Sequence, residues 1–158
     1  MRSKVYHCIL VFISVIFFSQ TALAVCPTGG GTTMVMGNDG VIRSYKIIYF
    51  GTSSLHAGST QDGSMANPIL SWSASSGGVI DAINDCGGNI LVKFLDPCYT
   101  TDGAFGNINY TVKPLSTADH VLIDGNGATV RRGSGGGSAA FLEILNVDNW
   151  TVQNINFF

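Results

Sequence analysis

The sequence predicts an all-β protein, a parallel β-helix of stacked coils with a short helix near the N-terminus. The prediction rests on two similar stretches, HVLIDGNGATV at residues 120–130 and NWTVQNINF at residues 149–157. In each stretch, alternate residues are apolar and lie on one side of a short strand. Each stretch then ends in small or amide residues suited to a sharp turn. Val121 and Trp150 lie 29 residues apart, an interval that holds the three strands of one coil. Because one coil cannot bury its inner face alone, the coils must stack to form a core.

Composition agrees with a turn-rich β protein. Among 158 residues there are 20 glycines, 46% of the residues are hydrophobic and only 11% are charged. This hydrophobic content is enough for one buried core and excludes a disordered chain. The glycine content is unlike that of a helical bundle.

Residues 1–24 have the features of a secretory signal peptide. Arg2 and Lys4 provide a positive start, residues 8–18 form an apolar run, and small residues at 22–24 suit a cleavage site. The run is shorter than a membrane-spanning helix needs, so an uncleaved anchor is the weaker alternative. Residues 23–26 (LAVC) also resemble a bacterial lipoprotein cleavage box, although a valine stands where that box has a small residue. We therefore expect a secreted or cell-surface protein, with no membrane span after cleavage.

The charge of the mature chain restricts its partners. Two of the eight Lys and Arg lie in the signal, so six remain against ten Asp and Glu, and the net charge is 6 − 10 = −4. The adjacent pair Arg131 and Arg132 is too small a basic patch for nucleic acid. Because adjacent strand residues point to opposite faces, at most one of this pair would contact an acidic sugar. A polysaccharide partner is implied only by the resemblance described below, and the oligomeric state is left open.

Three cysteines remain after cleavage, Cys26, Cys86 and Cys98, an odd number for a compartment in which disulfides form. Cys86 and Cys98 flank a predicted passage from helix to strand, and closing a loop of that length would stabilise the fold by a few kcal/mol. A Cys86–Cys98 disulfide is one pairing, and a bond from Cys26 to either of them is the alternative. No Cys-x-x-Cys or Cys/His cluster occurs in the sequence, which argues against a zinc site.

Local patterns place the first elements. Residues 25–40 have little pattern and are expected to form an irregular N-terminal segment, which leaves residues 41–158 for the coils. Residues 41–50 are β-branched and aromatic and predict the first strand. Residues 51–67 are rich in Gly, Ser, Thr and Asp and predict a surface loop.

A short amphipathic helix is predicted over residues 78–86. Val79, Ala82, Ile83 and Cys86 follow helical spacing, and the glycine pair at 87–88 is a stop signal. Further strands are predicted at residues 89–95, 108–112, 121–123, 128–131, 141–145 and 150–155.

The order of these motifs resembles a known superfamily. DGSMANP at 62–68, the short helix, GGNILVK at 87–93 and the two stretches described first follow one another as in the opening of right-handed parallel β-helix proteins of the pectate lyase-like superfamily. The resemblance covers residues 49–158. It implies that the helix caps the first coil, and it is shared by lyases, hydrolases and adhesins, so it indicates fold more than activity.

If the protein is an enzyme, the resemblance implies a polysaccharide lyase or a glycoside hydrolase. In such lyases carboxylates hold calcium and a basic residue removes a proton, whereas the glycosidases use paired aspartates. Those groups are expected on later coils. Calcium is therefore implied by the resemblance alone, and no catalytic or cofactor-binding residue is assigned.

Polar residues near the turns are expected to be structural. Asp124 is interpreted as a turn residue that bonds nearby backbone. Asn126 and Asn154 are interpreted as an amide ladder at a corner of the coils. His120 opens a strand and is interpreted as a surface residue rather than a catalytic base.

Two further residue patterns concern a possible metal site and possible glycosylation sites. Asp119, Asp124 and Asp148 do not match the spacing of an Asp-x-Asp-x-Asp-Gly calcium loop, so no metal site is predicted from the residues. Asn109 and Asn149 match the acceptor pattern for N-glycosylation and are candidate glycosylation sites.

Three function classes are consistent with the sequence. The first is a polysaccharide-active enzyme, which depends on the resemblance. The second is a non-catalytic surface or adhesion protein that binds its ligand along one face of the coils. The third is a fragment without activity of its own, because the sequence stops at Phe158 within a strand pattern and is expected to be the N-terminal part of a longer protein.

Overall fold

A computed structural model describes residues 26–27, 29–72, 77–100, 111–112, 120–131, 143–144 and 149–158. The predicted signal peptide lies outside these residues. Within them the chain forms one helix and eight strands, in the order β1 Thr32–Met36, β2 Ile42–Phe50, α1 Val79–Cys86, β3 Ile90–Phe94, β4 Cys98–Thr100, β5 Thr111–Val112, β6 Val121–Arg131, β7 Glu143–Ile144 and β8 Trp150–Phe157. In the part of the chain so described, no helix has the length and apolar character needed to cross a membrane.

Six strands form one mixed sheet. β1 pairs antiparallel with β2, and β2, β3, β6 and β8 follow one another in parallel. Ile48, Val92, Ile123 and Val152 are successive Cα partners across the four parallel strands, so their side chains share one face. β4 pairs in parallel with the second half of β6, and β5 and β7 form a separate parallel pair.

The inner face of the sheet carries the main core. The side chains of Phe50, Phe94, Tyr99 and Trp72 are almost fully buried and lie in ring contact, with 5.0 Å between the stacked centroids of Phe50 and Tyr99. The apolar side of α1 closes the same core. Aromatic pairs of this kind add about 0.5–1.5 kcal/mol each beyond the area that they bury, so this cluster fixes the sheet against the helix.

The outer face of the sheet carries a second, smaller core. Tyr45, Leu91 and Leu122 are buried there, and Val35 and Ile47 pack against them. Val35 belongs to β1, the edge strand of the sheet, so the β1–β2 hairpin contributes to this outer core. The sheet as a whole is curled into a half-barrel.

A bulge bends β6 against β8. The pairing register shifts between Asp124 and Ala128, and Asn126, Gly127 and Asn154 have φ values of 52°, 79° and 57°. Asparagine and glycine tolerate this left-handed conformation better than other residues. The strand pairing therefore continues through a position where the sequence predicts a turn, and residues 121–131 form one strand instead of two.

Several local predictions are confirmed. The strands predicted at 41–50 and 89–95 are β2 and β3, and the helix predicted at 78–86 is α1. Val79 and Ile83 are fully buried, as helical spacing requires. The all-β class is also confirmed, since most of the regular structure is strand.

The assignment to the pectate lyase-like superfamily is wrong. The described residues form a small, mixed, curled sheet, and stacked coils of a right-handed parallel β-helix are not evident among them. The alternation and turn signals identified real strands and their parallel pairing. They carry no information on how a sheet curls, so the coil architecture did not follow from them.

The N-terminal segment expected to be irregular contains β1. Its five residues, TTMVM, alternate exposed and half-buried positions, and the tight turn GNDGV at 37–41 joins it to β2. Asn-Asp-Gly between two apolar stretches is a hairpin signal, and the Thr- and Gly-rich composition around it obscured that signal.

The disulfide joins Cys26 to Cys86, not Cys86 to Cys98. Cys86 ends α1 and packs against the main core, whereas Cys98 is an exposed free thiol at the start of β4. The bond closes a separation of 60 residues and ties the chain before β1 to the helix. A disulfide fits an extracellular protein, and the pairing depends on non-local geometry that sequence spacing does not encode.

Candidate functional site

The candidate site is a cleft on the outer face, between the tip of the β1–β2 hairpin and the first residues of β6 and β8. Its volume is about 280 Å³. The residues that line it are Val35, Met36, Gly37, Asn38, Asp39, Tyr45, His120, Val121, Leu122, Asn149, Trp150, Thr151 and Gln153.

The hairpin tip forms one wall of the cleft. The Gly37 amide donates to the Val41 carbonyl (2.9 Å), and Gly40 has a φ of 74° that suits glycine. Asp39 accepts two hydrogen bonds from the Arg43 guanidinium, at 2.8 and 2.6 Å, and a third from the Val41 amide. The hydrogen bonds from Arg43 hold the pKa of the Asp39 carboxyl well below its usual range. The wall therefore presents a carboxylate that is ionised and already paired.

The floor of the cleft is apolar. Tyr45 and Leu122 are 3% and 8% exposed and belong to the outer core. Burial raises the pKa of the Tyr45 phenol, so this group keeps its proton at neutral pH. Alternation along β6 and β8 places Thr151 beside Leu122 on this face and directs Trp150 toward the main core, where its ring packs. Trp150 thus contributes mainly its backbone to the cleft.

Main-chain hydrogen bonds fix the opposite wall. The Ile90 amide donates to the His120 carbonyl (2.9 Å), the Val121 amide donates to the Asn149 carbonyl (2.9 Å), and the His120 amide donates to Asn89 Oδ1 (3.2 Å). The starts of β3, β6 and β8 are therefore level with one another. The half-buried His120 and Asn149 lie at this end.

Three polar side chains of the cleft are available to a ligand. Within the described ranges no hydrogen bond or ion pair involves the side chains of Asn38, Thr151 or Gln153. The amides offer both donors and acceptors, and the threonine hydroxyl offers both as well. The site can thus satisfy a neutral ligand rich in hydroxyl groups.

A second polar cluster lies apart from the cleft, around the buried Asp96. Its carboxylate accepts from the Thr52 amide (2.5 Å) and lies 3.0 Å from His56 Nε2. Its own amide donates to the Tyr99 hydroxyl (3.1 Å), which in turn donates to the Phe50 carbonyl (2.8 Å). Both carboxylate oxygens are engaged by loop 51–67, so this cluster anchors the loop to the core.

Asp124, expected to be a turn residue, lies at the bulge. Its Oδ1 accepts from the Asn126 amide (3.0 Å) and from Asn154 Nδ2 (2.9 Å). Asn126 and Asn154 occupy equivalent left-handed positions on β6 and β8. The side-chain amide of Asn154 bonds the carboxylate rather than the other asparagine.

The remaining candidates are scattered. His120 lines the cleft and Arg131 is exposed at the end of β6. Asn149 lies at the cleft wall, and its glycosylation remains a prediction. Asn109, Asp119, Arg132 and Asp148 lie outside the described residues. Among the residues that are described, no group of three or more His, Cys, Asp or Glu could hold a metal ion.

Sequence reasoning missed most of the cleft. Asn38, Asp39 and Tyr45 come from the β1–β2 hairpin and Thr151 and Gln153 from β8, two segments about a hundred positions apart that only the fold brings together. The Asn-Asp-Gly turn at 38–40 was the one available signal for that hairpin.

Comparisons with protein-family models, curated proteins and solved structures find no match for this chain.

Proposed function

We propose that the protein is exported and binds extracellular polysaccharide without chemical turnover, with one sugar unit held in the cleft of the outer face. The observation that supports this most directly is the combination of an apolar floor with neutral amide and hydroxyl groups on the walls. A sugar ring has an apolar face and a rim of hydroxyl groups, each of which both donates and accepts.

The electrostatics of the cleft favour a neutral ligand. Its one described carboxylate, Asp39, is neutralised by Arg43 in a bidentate pair. Such pairs are strong and geometrically specific. A phosphate or polyanion would need additional cations, and the described lining contains no lysine or arginine.

The size of the cleft favours a small unit. Pockets for drug-sized ligands start at about 300 Å³, and this cleft is slightly smaller. It suits one ring of a larger molecule. The apolar floor supplies burial and the polar walls fix orientation, which is the usual division of roles in a ligand site.

A binding role also agrees with the chemistry of the walls. Glycoside hydrolysis uses two carboxyl groups placed about 5–10 Å apart across the scissile bond. The described lining offers Asp39 alone, and that group is held by Arg43. The amides and hydroxyl have the character of recognition groups instead.

The test is an NMR titration of the ¹⁵N-labelled mature protein with cellohexaose, mannohexaose and chitohexaose. We expect at least one to shift the amide signals of Asn38, Thr151 and Gln153. The variant Thr151→Val, which is isosteric but lacks the hydroxyl, should weaken that binding by roughly tenfold, the value of about one hydrogen bond.

Thr100→Val is the matched control, because Thr100 is an exposed strand residue that pairs with the far end of β6, away from the cleft. It should leave binding unchanged. If none of the three sugars shifts the cleft signals, or if both valine variants weaken binding equally, the proposal is wrong.

A further inference from the structure

A row of polar side chains continues from the cleft across the sheet. Tyr49, Lys93, Asp124 and Gln153 are successive Cα partners on β2, β3, β6 and β8. Ile48, Val92 and Ile123, which precede the first three of these residues by one position, belong to the main core, so alternation places the row on the outer face. Gln153 also lines the cleft, and the row and the cleft therefore form one surface.

The geometry of the row is regular. Neighbouring strands lie about 4.8 Å apart, so four strands give three equal steps and a row about 14 Å long. Because the parallel strands keep one register at these positions, the steps repeat across the strands and follow the curl of the sheet. This step is close to the length of one sugar unit in an extended chain.

The polar groups of the row are also available to a ligand. Lys93 is half-buried, and no ion pair or hydrogen bond of its ammonium group is found with any described residue, although Asp124 is its cross-strand neighbour. Asp124 uses Oδ1 for Asn126 and Asn154. Tyr49 adds a phenol and Gln153 an amide, so the row offers both donors and acceptors.

We infer that the cleft and this row form a single binding surface for a linear polysaccharide whose chain crosses the parallel strands, with one unit in the cleft beside Gln153 and the following units on Asp124, Lys93 and Tyr49. The inference rests on the proposed function. An extended peptide is a poorer match, because its residues repeat at about 3.4 Å and this repeat differs from the spacing of about 4.8 Å between the strands.

Chain length is the decisive variable. For each sugar of the panel, the monosaccharide, trisaccharide and hexasaccharide are titrated into the mature protein. We expect the affinity to rise at least roughly tenfold from monosaccharide to hexasaccharide, since each further unit adds about one hydrogen bond. Only the longer sugars should shift the amide signals of Tyr49 and Lys93.

Substitutions in the row separate this inference from cleft binding. Lys93→Met and Tyr49→Phe should each weaken hexasaccharide binding by roughly three- to tenfold while leaving monosaccharide binding unchanged. Lys46→Met is the matched control, because Lys46 is an exposed lysine of β2 whose ammonium group bonds the Cys86 carbonyl (3.3 Å), away from the row. It should change neither affinity.

The outcomes distinguish the two proposals. Equal affinities for short and long sugars, with no effect of Lys93→Met or Tyr49→Phe, would overturn the row and leave the cleft as the whole site. An equal loss with Lys46→Met would also overturn the row, because general charge would then explain the effect. Failure of every sugar to bind would overturn both proposals.

Discussion

Tyr99 shows how one side chain can hold several segments together. Its hydroxyl accepts from the Asp96 amide and donates to the Phe50 carbonyl, and the residue is 1% exposed. Tyr99→Phe keeps the ring contacts and removes the partner of a buried amide, which costs about 1–3 kcal/mol. Urea unfolding should show a loss of that size. Tyr49→Phe is the control, and it should stay within about 0.5 kcal/mol of the wild type.

The same hydroxyl makes stability depend on pH in alkaline solution. Burial raises the pKa of Tyr99 well above its ordinary value of 10.0, so the folded state favours the protonated phenol. Its contribution is complete below pH 10 and is lost as the pH rises through the range between the unfolded and folded pKa values. The urea midpoint of the wild type should therefore fall more steeply above pH 10 than that of Tyr99→Phe. Parallel curves for the two proteins would contradict this assignment.

At the scale of the element, the hairpin tip depends on one ion pair. Arg43→Gln removes the guanidinium, the main cause of the low pKa of Asp39. A carboxyl group whose pKa is lower in the folded state stabilises the fold at pH values above its unfolded pKa. This stabilisation is lost as the pH falls toward the folded pKa. The Asp39 pKa, followed by carboxyl ¹³C NMR, should move up toward 3.8. Asp62 is an internal control, because Ser64 rather than an arginine lowers its pKa.

The bulge between β6 and β8 depends on Gly125. A methyl group there would lie 2.2 Å from the Ile155 side chain and 2.6 Å from the Asn154 carbonyl. Gly125→Ala should therefore destabilise the fold by about 1–3 kcal/mol, the range for overpacking. Gly127→Asn is the control, because its Cβ meets open space and asparagine tolerates a φ of 79°. Chemical unfolding that affects both variants equally would show that space at Gly125 is not limiting.

A helix or strand was predictable from the sequence where the burial of one of its faces is enough to determine it. The helix followed from Val79 and Ile83, and β3 followed from a short apolar run between turn signals, because burial of these side chains is set within a few residues. The hairpin was missed because β1 is short and mostly exposed. The cleft was missed with it, since Gln153 and Asn38 are more than a hundred positions apart in sequence.

At the scale of the whole molecule, parallel pairing by itself did not determine architecture. The in-register row from Ile48 to Val152 agrees with the predicted strands. The same in-register strands are compatible with stacked coils and with the curled sheet that is observed. Here Val35 of β1 packs over Tyr45 and Leu122, and this contact between distant segments has no local signature.

The disulfide acts on the whole molecule by limiting the unfolded chain. Closing a 60-residue separation is worth about 4 kcal/mol by loop entropy, a large share of the roughly 5–15 kcal/mol by which domains are stable. Cys26→Ser with Cys86→Ser should therefore lower the free energy of unfolding in urea by about 2–4 kcal/mol. Cys98→Ser should leave this free energy unchanged, since that thiol is free and exposed.

Dithiothreitol should lower the free energy of unfolding of the wild type to that of the double variant. It should not change the free energy of unfolding of the double variant itself. A wild type insensitive to reduction would show that the contacts of α1 and β1 hold these segments without the bond.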